Sequence, residues 1–343
     1  DYSSLVQPQA FELIGDGLDQ DCDGEDATNM VALGSEHSCV IDANGELSCF
    51  GSTNSIQDIP TELQVQFVDA EYQTTTAITN DGKLSCFGDH CNNLSDDSFI
   101  QISQGAYHGC GITVASEISC WGEENAIGTI PEGKFISVAA GNAQTCALGR
   151  NREIHCWGEN SYNVVSSFPE GTMRMIASGG GQFCALDDEG DLICWGNTGF
   201  ADIPTGHFER VSLGLHSGCV LDKIGDISCW GLSEEVPSTN SQEGSFVQVD
   251  VGETHACALD NQSFLYCWGD GTNGKKTVSK DLCLTLEDRD GDGEIGCLGD
   301  CDDLDASVNN QDIDGDGYSP CTGDCDENDV TKNGLDVDNS AKL

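Results

Sequence analysis

Hydrophobic and polar residues follow one pattern that returns seven times along the chain. In the stretch VSLGLHSGCVLDKIGDISCWG, from Val211 to Gly231, short apolar runs flank a five-residue polar turn. Such runs around a glycine-containing turn are typical of a β-hairpin. Each unit also opens with a Val or Ile strand pattern, and in six units that strand ends in glycine: Gly34, Gly105, Gly141, Gly179, Gly214 and Gly252. The pattern predicts three or four short strands per unit.

The units recur at a nearly constant interval. The second cysteine of each unit, or its only one, marks the interval: Cys49, Cys86, Cys120, Cys156, Cys194, Cys229 and Cys267, with steps of 37, 34, 36, 38, 35 and 38 residues. A period in this range signals a repeat architecture, and short antiparallel strands in radial repetition form propeller blades. We therefore expect an all-β fold, a seven-bladed β-propeller over residues 30–280, between an acidic segment at 1–29 and a second one at 281–343.

The hairpin turn carries glycine in four units and another residue in the others. Gly45, Gly82, Gly190 and Gly225 share the position, while Ser116, Arg152 and Ser263 replace them elsewhere. Side chains disfavour positive φ. The expectation is that this turn does not require positive φ in every unit.

The rhythm G-x-x-H-x-C-x-L…G-x-L-x-C-W-G resembles the bacterial form of the regulator-of-chromosome-condensation repeat, over residues 30 to about 270. The resemblance implies a seven-bladed propeller, and secreted bacterial relatives include protein-binding propellers such as an inhibitor of β-lactamases. The chromatin role of that family does not transfer, because the chain has 60 acidic and 13 basic residues and a formal charge of −47. Such a balance repels nucleic acid and anionic membranes.

The cysteines indicate disulfides and hence an oxidising compartment. Six units hold two cysteines ten residues apart, which a hairpin places opposite each other at a Cα separation of ~4.5 to 5.5 Å. The predicted pairs are Cys39–Cys49, Cys110–Cys120, Cys146–Cys156, Cys184–Cys194, Cys219–Cys229 and Cys257–Cys267. In the second unit Thr76 replaces the first cysteine, and Cys86–Cys91 is the expected substitute. Zinc would need C-x-x-C clusters, which no unit offers.

Residues 281–343 hold 19 acidic and three basic side chains and repeat at a spacing of 24 residues. The two copies are DRDGDGEIGCLGDCDDLD from Asp288 and DIDGDGYSPCTGDCDEND from Asp312. An Asp-x-Asp-x-Asp-Gly loop brings three carboxylates to one point, and calcium takes six to eight oxygens. The predicted calcium ligands are Asp288, Asp290, Asp292 and the Glu294 carbonyl, then Asp312, Asp314, Asp316 and the Tyr318 carbonyl. The closing Glu of an EF-hand is replaced by glycine, with Asp300 and Asp324 one residue later.

These copies resemble the D-x-D-G-D-G…D-C-D-D repeats of secreted bacterial proteins and, more distantly, thrombospondin type 3 repeats. The resemblance implies that Asp302, Asp305, Asp326 and Asp329 complete the sites or form second ones. The stretch GDGLDQDCDGED looks like a further fragment, with Asp16, Asp19, Asp21, Asp23 and Asp26 as candidate ligands. The alternative is a solvated tail of like charges, which would not repeat with identical offsets.

The remaining cysteines lie in or beside these acidic segments. Cys297–Cys301 and Cys321–Cys325 are spaced for local bridges. Cys22 lacks the local partner that the family motif usually has, and Cys283 is the other cysteine left over. A Cys22–Cys283 bridge would join the two termini or two neighbouring subunits, and the sequence leaves both possibilities open.

Repeating histidines and tryptophans are candidates for chemistry, but their recurrence in register favours structural roles. The histidines are His37, His108, His216 and His255, and the aromatic residues expected to pack between blades are Phe50, Phe87, Trp121, Trp157, Trp195, Trp230 and Trp268. The chain has no G-x-S-x-G, H-E-x-x-H or P-loop motif. We expect no enzymatic activity.

Two functions fit these patterns. The favoured one is a secreted or cell-surface structural propeller that assembles with copies of itself, for example into a filament, through calcium-loaded ends. The alternative is a monomeric extracellular module that binds a protein or a glycan on one propeller face. The chain lacks an initiator Met and any apolar stretch of ~20 residues, so we expect a processed, soluble product without membrane insertion.

Overall fold

A computed structural model of the chain describes residues 31–272 and 276, except for 43, 53–58, 61, 198–202, 232–241, 243 and 261–263. Over this range the chain forms seven antiparallel sheets, each made of three consecutive strands. The arrangement fits the predicted seven-bladed propeller, and each sheet is one blade. The acidic segments at 1–29 and 281–343 lie outside the described residues.

The blades share one order of strands. The first strands, which line the central cavity, are β1 (Val31–Leu33), β4 (Val65–Glu71), β7 (Phe99–Gln104), β10 (Phe135–Ala140), β13 (Met173–Gly179), β16 (Phe208–Leu213) and β19 (Phe246–Val251). The second strands are β2 (His37–Ile41), β5 (Thr74–Thr79), β8 (His108–Thr113), β11 (Gln144–Gly149), β14 (Gln182–Asp187), β17 (Ser217–Asp222) and β20 (His255–Asp260). The third strands are β3 (Leu47–Gly51), β6 (Leu84–Gly88), β9 (Ile118–Gly122), β12 (Ile154–Gly158), β15 (Leu192–Gly196), β18 (Ile227–Gly231) and β21 (Leu265–Gly269). A one-turn helix, Glu124–Ile127, and a 3₁₀ turn, Ser161–Asn163, follow the third and fourth blades.

The second strand of each blade is the most deeply buried element. Every residue of β8 and β11 is buried, because blades pack against both faces of these strands. The third strands are only partly buried and lie at the outside. Burial on both faces explains why the second strands do not alternate between apolar and polar residues.

Seven cysteine pairs lie at disulfide distance, and each is a pair that the sequence predicts. In the first blade Cys39 lies directly opposite Cys49, and the same register holds in the other five blades that carry this pair. Their Cα atoms are 4.0 to 4.1 Å apart, closer than the sequence-based value. Each closed loop constrains the unfolded chain by about 2 to 3 kcal/mol in the entropy model.

Tryptophans pack between neighbouring blades, as predicted. Trp121 of the third blade belongs to one hydrophobic cluster with Phe67 and Ile78 of the second blade. Trp157 of the fourth blade shares a hydrophobic cluster with Ile112 of the third. These contacts bury large apolar surfaces between sheets that would each be too small to form a core alone.

The last blade meets the first. Strand β1 contacts both β19 and β20. The side-chain amide of Gln248 donates to the Val31 carbonyl at 3.3 Å, and the Leu33 amide donates to Asp250 Oδ2 at 2.8 Å. Because each described blade consists of consecutive strands, this junction depends on side-chain contacts rather than on a strand shared between the two ends.

The expectation that the hairpin turn does not need positive φ in every unit is wrong for the turns that the structure describes. Ser116 and Arg152 have φ values of 61° and 63°, so the turn does adopt the left-handed conformation where glycine is missing. The glycines at the same position, such as Gly45 at 78° and Gly225 at 91°, have positive φ as well. Pairing of the flanking strands sets this geometry and overrides the preference of the side chain. Ser263 lies outside the described residues.

Candidate functional site

One end of the propeller is formed by the short loops between the first and second strands, and we call it the loop face. These loops are residues 34–36, 72–73, 105–107, 141–143, 180–181, 214–216 and 252–254. Backbone hydrogen bonds join several of them between blades. The Ser35 amide donates to the Tyr72 carbonyl at 2.8 Å, and the Asn142 amide donates to the Gly180 carbonyl at 2.8 Å. The loop face is therefore a connected platform rather than a set of independent loops.

Three tyrosines project from the loop face. Tyr72, Tyr107 and Tyr162 are 42%, 45% and 59% exposed. The Tyr107 ring meets the His90 ring edge-on, with centroids 5.4 Å apart. Tyr162 lies over the neighbouring loop, since a Cβ at Gly181 would come within 3.0 Å of its ring. Exposed tyrosines on a fixed platform are typical of protein-binding surfaces, because their rings offer a large contact area at a low cost in conformational entropy.

Left-handed backbone accompanies these tyrosines. Five of the described non-glycine residues with positive φ lie at this end of the propeller: Tyr72, His90, Asn93, Tyr162 and Asn163. For a bulky residue this conformation costs on the order of 1–3 kcal/mol, and it persists only where the surrounding structure imposes it. Such outliers cluster at ligand-binding sites, so they support the loop face as the functional end.

Carboxylates line the central cavity, which has a volume of about 140 Å³, close to the loop face. Asp69 Oδ2 accepts a hydrogen bond from the Gln104 amide at 2.7 Å, and Asp250 Oδ1 accepts one from the Ser212 hydroxyl at 2.7 Å. Burial raises the pKa of Asp69 to about 8, and the charge of Asp250 adds to this rise. Burial also raises the pKa of Asp250 to about 6.

Glu71 is the carboxylate that departs from the repeat, because it stands where the other six blades have glycine. A Cβ at Gly105 would collide with the Gly141 carbonyl oxygen of the next blade, which explains the glycine there. Burial raises the pKa of Glu71 well above its ordinary value, and the charges of Asp69, Asp250 and Glu253 raise it further. The sequence pattern contained this signal as a missing glycine in one unit.

Basic side chains lie at the opposite end. We call that end the hairpin face, formed by the turns between second and third strands and by the starts of the first strands. Six of the described Lys and Arg residues lie there: Lys83, Lys134, Arg150, Arg152, Arg174 and Lys223. Of the other two, Arg210 lines the central cavity, and Lys276 donates to the Gly269 carbonyl at the end of β21. The seven loops of the loop face contain neither Lys nor Arg. The two ends therefore differ in charge.

The histidines have the structural role that their repetition suggests, with one correction. His37, His108 and His255 are fully buried at the first residue of a second strand. Burial lowers the pKa of His37 and of His108 to about 4, so both are neutral at physiological pH. His216 is not equivalent, because Ser217 occupies that position and His216 lies exposed one residue earlier.

The predicted calcium ligands all lie outside the described residues, as do Cys22, Cys283, Cys297, Cys301, Cys321 and Cys325. Within the part of the chain that the structure describes, no three His, Cys, Asp or Glu side chains form a group that could hold a metal ion. The described residues also contain no helix long and apolar enough to span a membrane.

Comparisons with known proteins agree with this architecture. Residues 31–57, 135–163 and 246–275 match the sequence model of the Regulator of chromosome condensation (RCC1) repeat. These stretches fall in the first, fourth and seventh blades, so the chain contains RCC1-type repeats. No curated protein matches the chain.

Solved structures share the fold at low sequence identity. The CRINKLY WD40 ectodomain of the receptor kinase ACR4 from Arabidopsis thaliana has a TM-score of 0.64 and 22% identity, covering 71% of this chain and 95% of its own. The ectodomain of the Physcomitrella patens receptor kinase CR4 has a TM-score of 0.62 and 24% identity, covering 71% and 74%. Human WBSCR16 has a TM-score of 0.55 and 17% identity, covering 69% and 86%. These likenesses concern the fold.

Proposed function

We propose that this chain is an extracellular, non-catalytic module that binds a protein partner through its loop face. The observation that carries the proposal is the set of exposed tyrosines Tyr72, Tyr107 and Tyr162 on one connected platform. Seven disulfides support an oxidising, extracellular setting. Two of the structures that share the fold are ectodomains of plant receptor kinases, in keeping with such a setting.

The platform favours binding because little order has to be created when a partner arrives. Hydrogen bonds between loops and the ring contact between His90 and Tyr107 hold the surface in place before binding. Preorganisation lowers the entropic cost of association, and aromatic side chains dominate the binding energy of many interfaces. The repulsion of nucleic acid by the net charge of −47 leaves protein as the favoured partner.

Capture of partners from the extracellular medium of the source organism tests the proposal. A variant with Tyr72→Ser, Tyr107→Ser and Tyr162→Ser should lose the captured protein. The matched control is Val114→Ser with Ile224→Ser, which removes two side chains of the hairpin face that are 68% and 65% exposed. Near-ultraviolet circular dichroism and the midpoint of thermal unfolding establish that both variants fold. Retention by the tyrosine variant and loss by the control would place binding on the other face and overturn the proposal, and a glycan in place of a protein would correct the partner class.

Calcium-dependent self-assembly through the terminal segments is a second proposal. It is carried by the sequence alone, namely the two acidic copies spaced by 24 residues. The two proposals are compatible, since one concerns the loop face and the other the ends of the chain.

A further inference from the structure

One disulfide differs in position from the others, and it lies beside the loop face. Six of the seven bridges of the described residues are ladder bridges, which join cysteines that face each other across a second and a third strand. In the second blade Thr76 takes the position of the first cysteine. Cys86 of strand β6 pairs instead with Cys91, three residues beyond the end of that strand, at a Cα distance of 5.6 Å. This bridge therefore closes a short loop at the end of the blade instead of crossing a hairpin.

The Cys86–Cys91 bridge is also the one in which neither cysteine is enclosed in the core. Both residues are partly exposed. In each of the six ladder bridges the cysteine of the second strand is fully buried, at 0% exposure. Attack on the outer sulfur of a ladder bridge expels the inner cysteine as a thiolate into an apolar core, and burial disfavours that charge. Exchange with thiols should therefore be fastest at Cys86–Cys91.

The bridge imposes an unfavourable backbone on the loop that it closes. His90, inside this loop, has a φ of 44°, which a residue with a side chain keeps only where the surrounding structure imposes it. Cys91 lies outside the strands, so no strand pairing holds it near Cys86 once the bridge opens. In a ladder pair such as Cys110 and Cys120, by contrast, the paired strands keep the two cysteines opposite each other. Reduction of Cys86–Cys91 therefore lets His90 return to an ordinary φ.

The closed loop contacts the part of the loop face that carries Tyr107. The His90 ring meets the Tyr107 ring edge-on at 5.4 Å, and His90 Nδ1 lies 3.3 Å from Glu123 Oε1. The Glu123 amide in turn donates to the Tyr107 carbonyl at 3.0 Å. His90 therefore holds Tyr107 in place both through its ring and through Glu123.

We propose that Cys86–Cys91 is a thiol–disulfide exchange site for a dithiol reductant, and that its reduction releases Tyr107 from its fixed position on the loop face. The exchange site itself concerns this chain alone. Its consequence for partner binding rests on the proposed function, because Tyr107 belongs to the platform that binds the partner there.

The reaction moves two electrons and two protons from the dithiol to the bridge. One thiol of the reductant loses its proton and attacks Cys91 Sγ, so a mixed disulfide forms, the bond between the two cysteines breaks, and Cys86 leaves as a thiolate that takes up a proton. The Thr76 hydroxyl is 3.5 Å from Cys86 Sγ and 2.7 Å from Gln104 Oε1, so its hydrogen can turn to the sulfur when the thiolate forms. The second thiol then loses its proton and attacks the sulfur of the reductant in the mixed disulfide. The reductant leaves as a disulfide, and Cys91 takes up the second proton.

Graded reduction of the folded full chain tests the exchange site. The protein is treated with dithiothreitol at neutral pH, quenched with acid and alkylated, and the free thiols are located by peptide mass spectrometry. We expect Cys86 and Cys91 to be labelled about tenfold faster or more than the ladder pair Cys110 and Cys120 of the next blade. Equal rates for the two pairs, or earlier labelling of the ladder pair, would overturn the inference.

Amide hydrogen exchange measures the consequence for the loop face. The Glu123 amide, which donates to the Tyr107 carbonyl, should exchange about tenfold faster after selective reduction, because the contacts that hold it are loosened. The variant Cys86→Ser with Cys91→Ser should show the same increase without any reductant. The control is the Asn142 amide of another loop, whose exchange should not change. Unchanged exchange at Glu123 would mean that the bridge is accessible but does not hold Tyr107, and the inference would fail.

The proposed function is decided by separate measurements. If the variant with all three tyrosines replaced keeps its captured protein, the proposed function fails, while the labelling and exchange rates still decide the role of the bridge. If that variant loses the protein but Cys86 and Cys91 are labelled no faster than the ladder pair, the proposed function stands and the exchange site fails. The two failures are therefore distinguishable.

Discussion

His255 Nε2 lies 2.7 Å from the Ser38 hydroxyl, and this contact joins the seventh blade to the first. The same pairing recurs between other neighbours, where His37 meets Thr75 at 2.7 Å and His108 meets Thr145 at 2.6 Å. In each case the histidine begins the second strand of one blade, and the hydroxyl belongs to the second residue of the same strand in the next blade.

The other four junctions between neighbouring blades lack both halves of the pair. At each of these junctions another residue stands in place of the histidine, and the next blade has no hydroxyl at the second residue of its second strand. The residues at the two positions are Thr74 and Gly109, Gln144 and Phe183, Gln182 and Gly218, and Ser217 and Ala256. Histidine thus occurs only where a hydroxyl is available to bind it. A buried imidazole without a partner would cost about 1–3 kcal/mol, which explains the co-occurrence.

Removal of the hydroxyl at the junction should destabilise the protein. Ser38→Ala leaves His255 Nε2 without this bond, and we expect a loss of about 1–3 kcal/mol in the free energy of unfolding, measured with guanidinium chloride and intact disulfides. Ser217→Ala is the matched control, because the Ser217 hydroxyl is buried yet has no hydrogen-bond partner among the described residues. That variant should be as stable as the wild type or more stable. Losses of similar size in both would show that the His255 contact contributes nothing specific.

The carboxyl of Asp69 should make stability depend on pH. Its pKa is about 8 in the folded protein against 3.8 for an unperturbed aspartate, so the folded state keeps a proton that the unfolded chain releases. Stability from this group is therefore present below pH 3.8 and is lost as the pH rises towards 8. The free energy of unfolding of Asp69→Asn, minus that of the wild type, should therefore increase with pH, by at most about 1.4 kcal/mol per pH unit.

The buried histidines titrate in both proteins, so their contributions cancel in this comparison. The control is Ser103→Ala, which removes a hydroxyl that accepts from the Ala140 amide at 3.0 Å, at the position equivalent to Asp69. Its stability relative to wild type should not vary with pH. Urea unfolding at intervals from pH 4 to pH 9 checks both, and a constant difference for Asp69→Asn would contradict the raised pKa.

Backbone strain at Ser116 should be relieved by glycine. Its φ of 61° disfavours any side chain, so Ser116→Gly should be more stable than Ser116→Ala by about 1 kcal/mol. Both changes remove the hydroxyl that accepts from Arg150 Nη2 at 3.0 Å, so their difference isolates the backbone. Ser119 in strand β9 serves as the control, where glycine should be the less stable of the two. The same order at both positions, measured by thermal unfolding, would refute the argument.

The parts of the fold that are local in sequence could be predicted, and those that link blades could not. Cys39 and Cys49 lie opposite each other because a hairpin of fixed length sets their register. By contrast, the partner of His37 is Thr75 in the next blade, and nothing within one unit specifies how two blades face each other. The mistaken equivalence of His216 has the same origin, since one residue of offset separates an exposed loop from a buried strand.

The candidate site was missed because it breaks the repeat. Glu71 differs from six glycines, and Tyr72 and Tyr107 have no counterparts in the consensus, so none of the three belongs to the pattern that the units share. Exposure could not be read from the sequence either, because Tyr107 and Trp121 are both aromatic yet one projects from a loop and the other is fully buried. Departures from a repeat are therefore the better guide to function, and agreement with it the better guide to the fold.

Removal of calcium should expose the terminal segments to protease and leave the blades resistant. Without a cation, the clustered carboxylates of the two acidic copies repel one another, so EGTA should open the segments at 1–29 and 281–343 to protease and disperse any assembly. The disulfide-closed blades should resist cleavage under the same conditions. Sedimentation velocity with and without calcium, together with mass spectrometry of the proteolytic fragments, measures both effects.

A matched pair of variants locates the cause of that response. Asp290→Asn with Asp314→Asn removes one carboxylate from each Asp-x-Asp-x-Asp-Gly loop, and should mimic EGTA even in millimolar calcium. Asp336→Asn with Asp338→Asn removes the same charge outside the repeated pattern and should behave as wild type. If all forms sediment as monomers and give one protease map with or without calcium, the ends of the chain do not mediate assembly. The loop face would then remain as the proposed contact with other molecules.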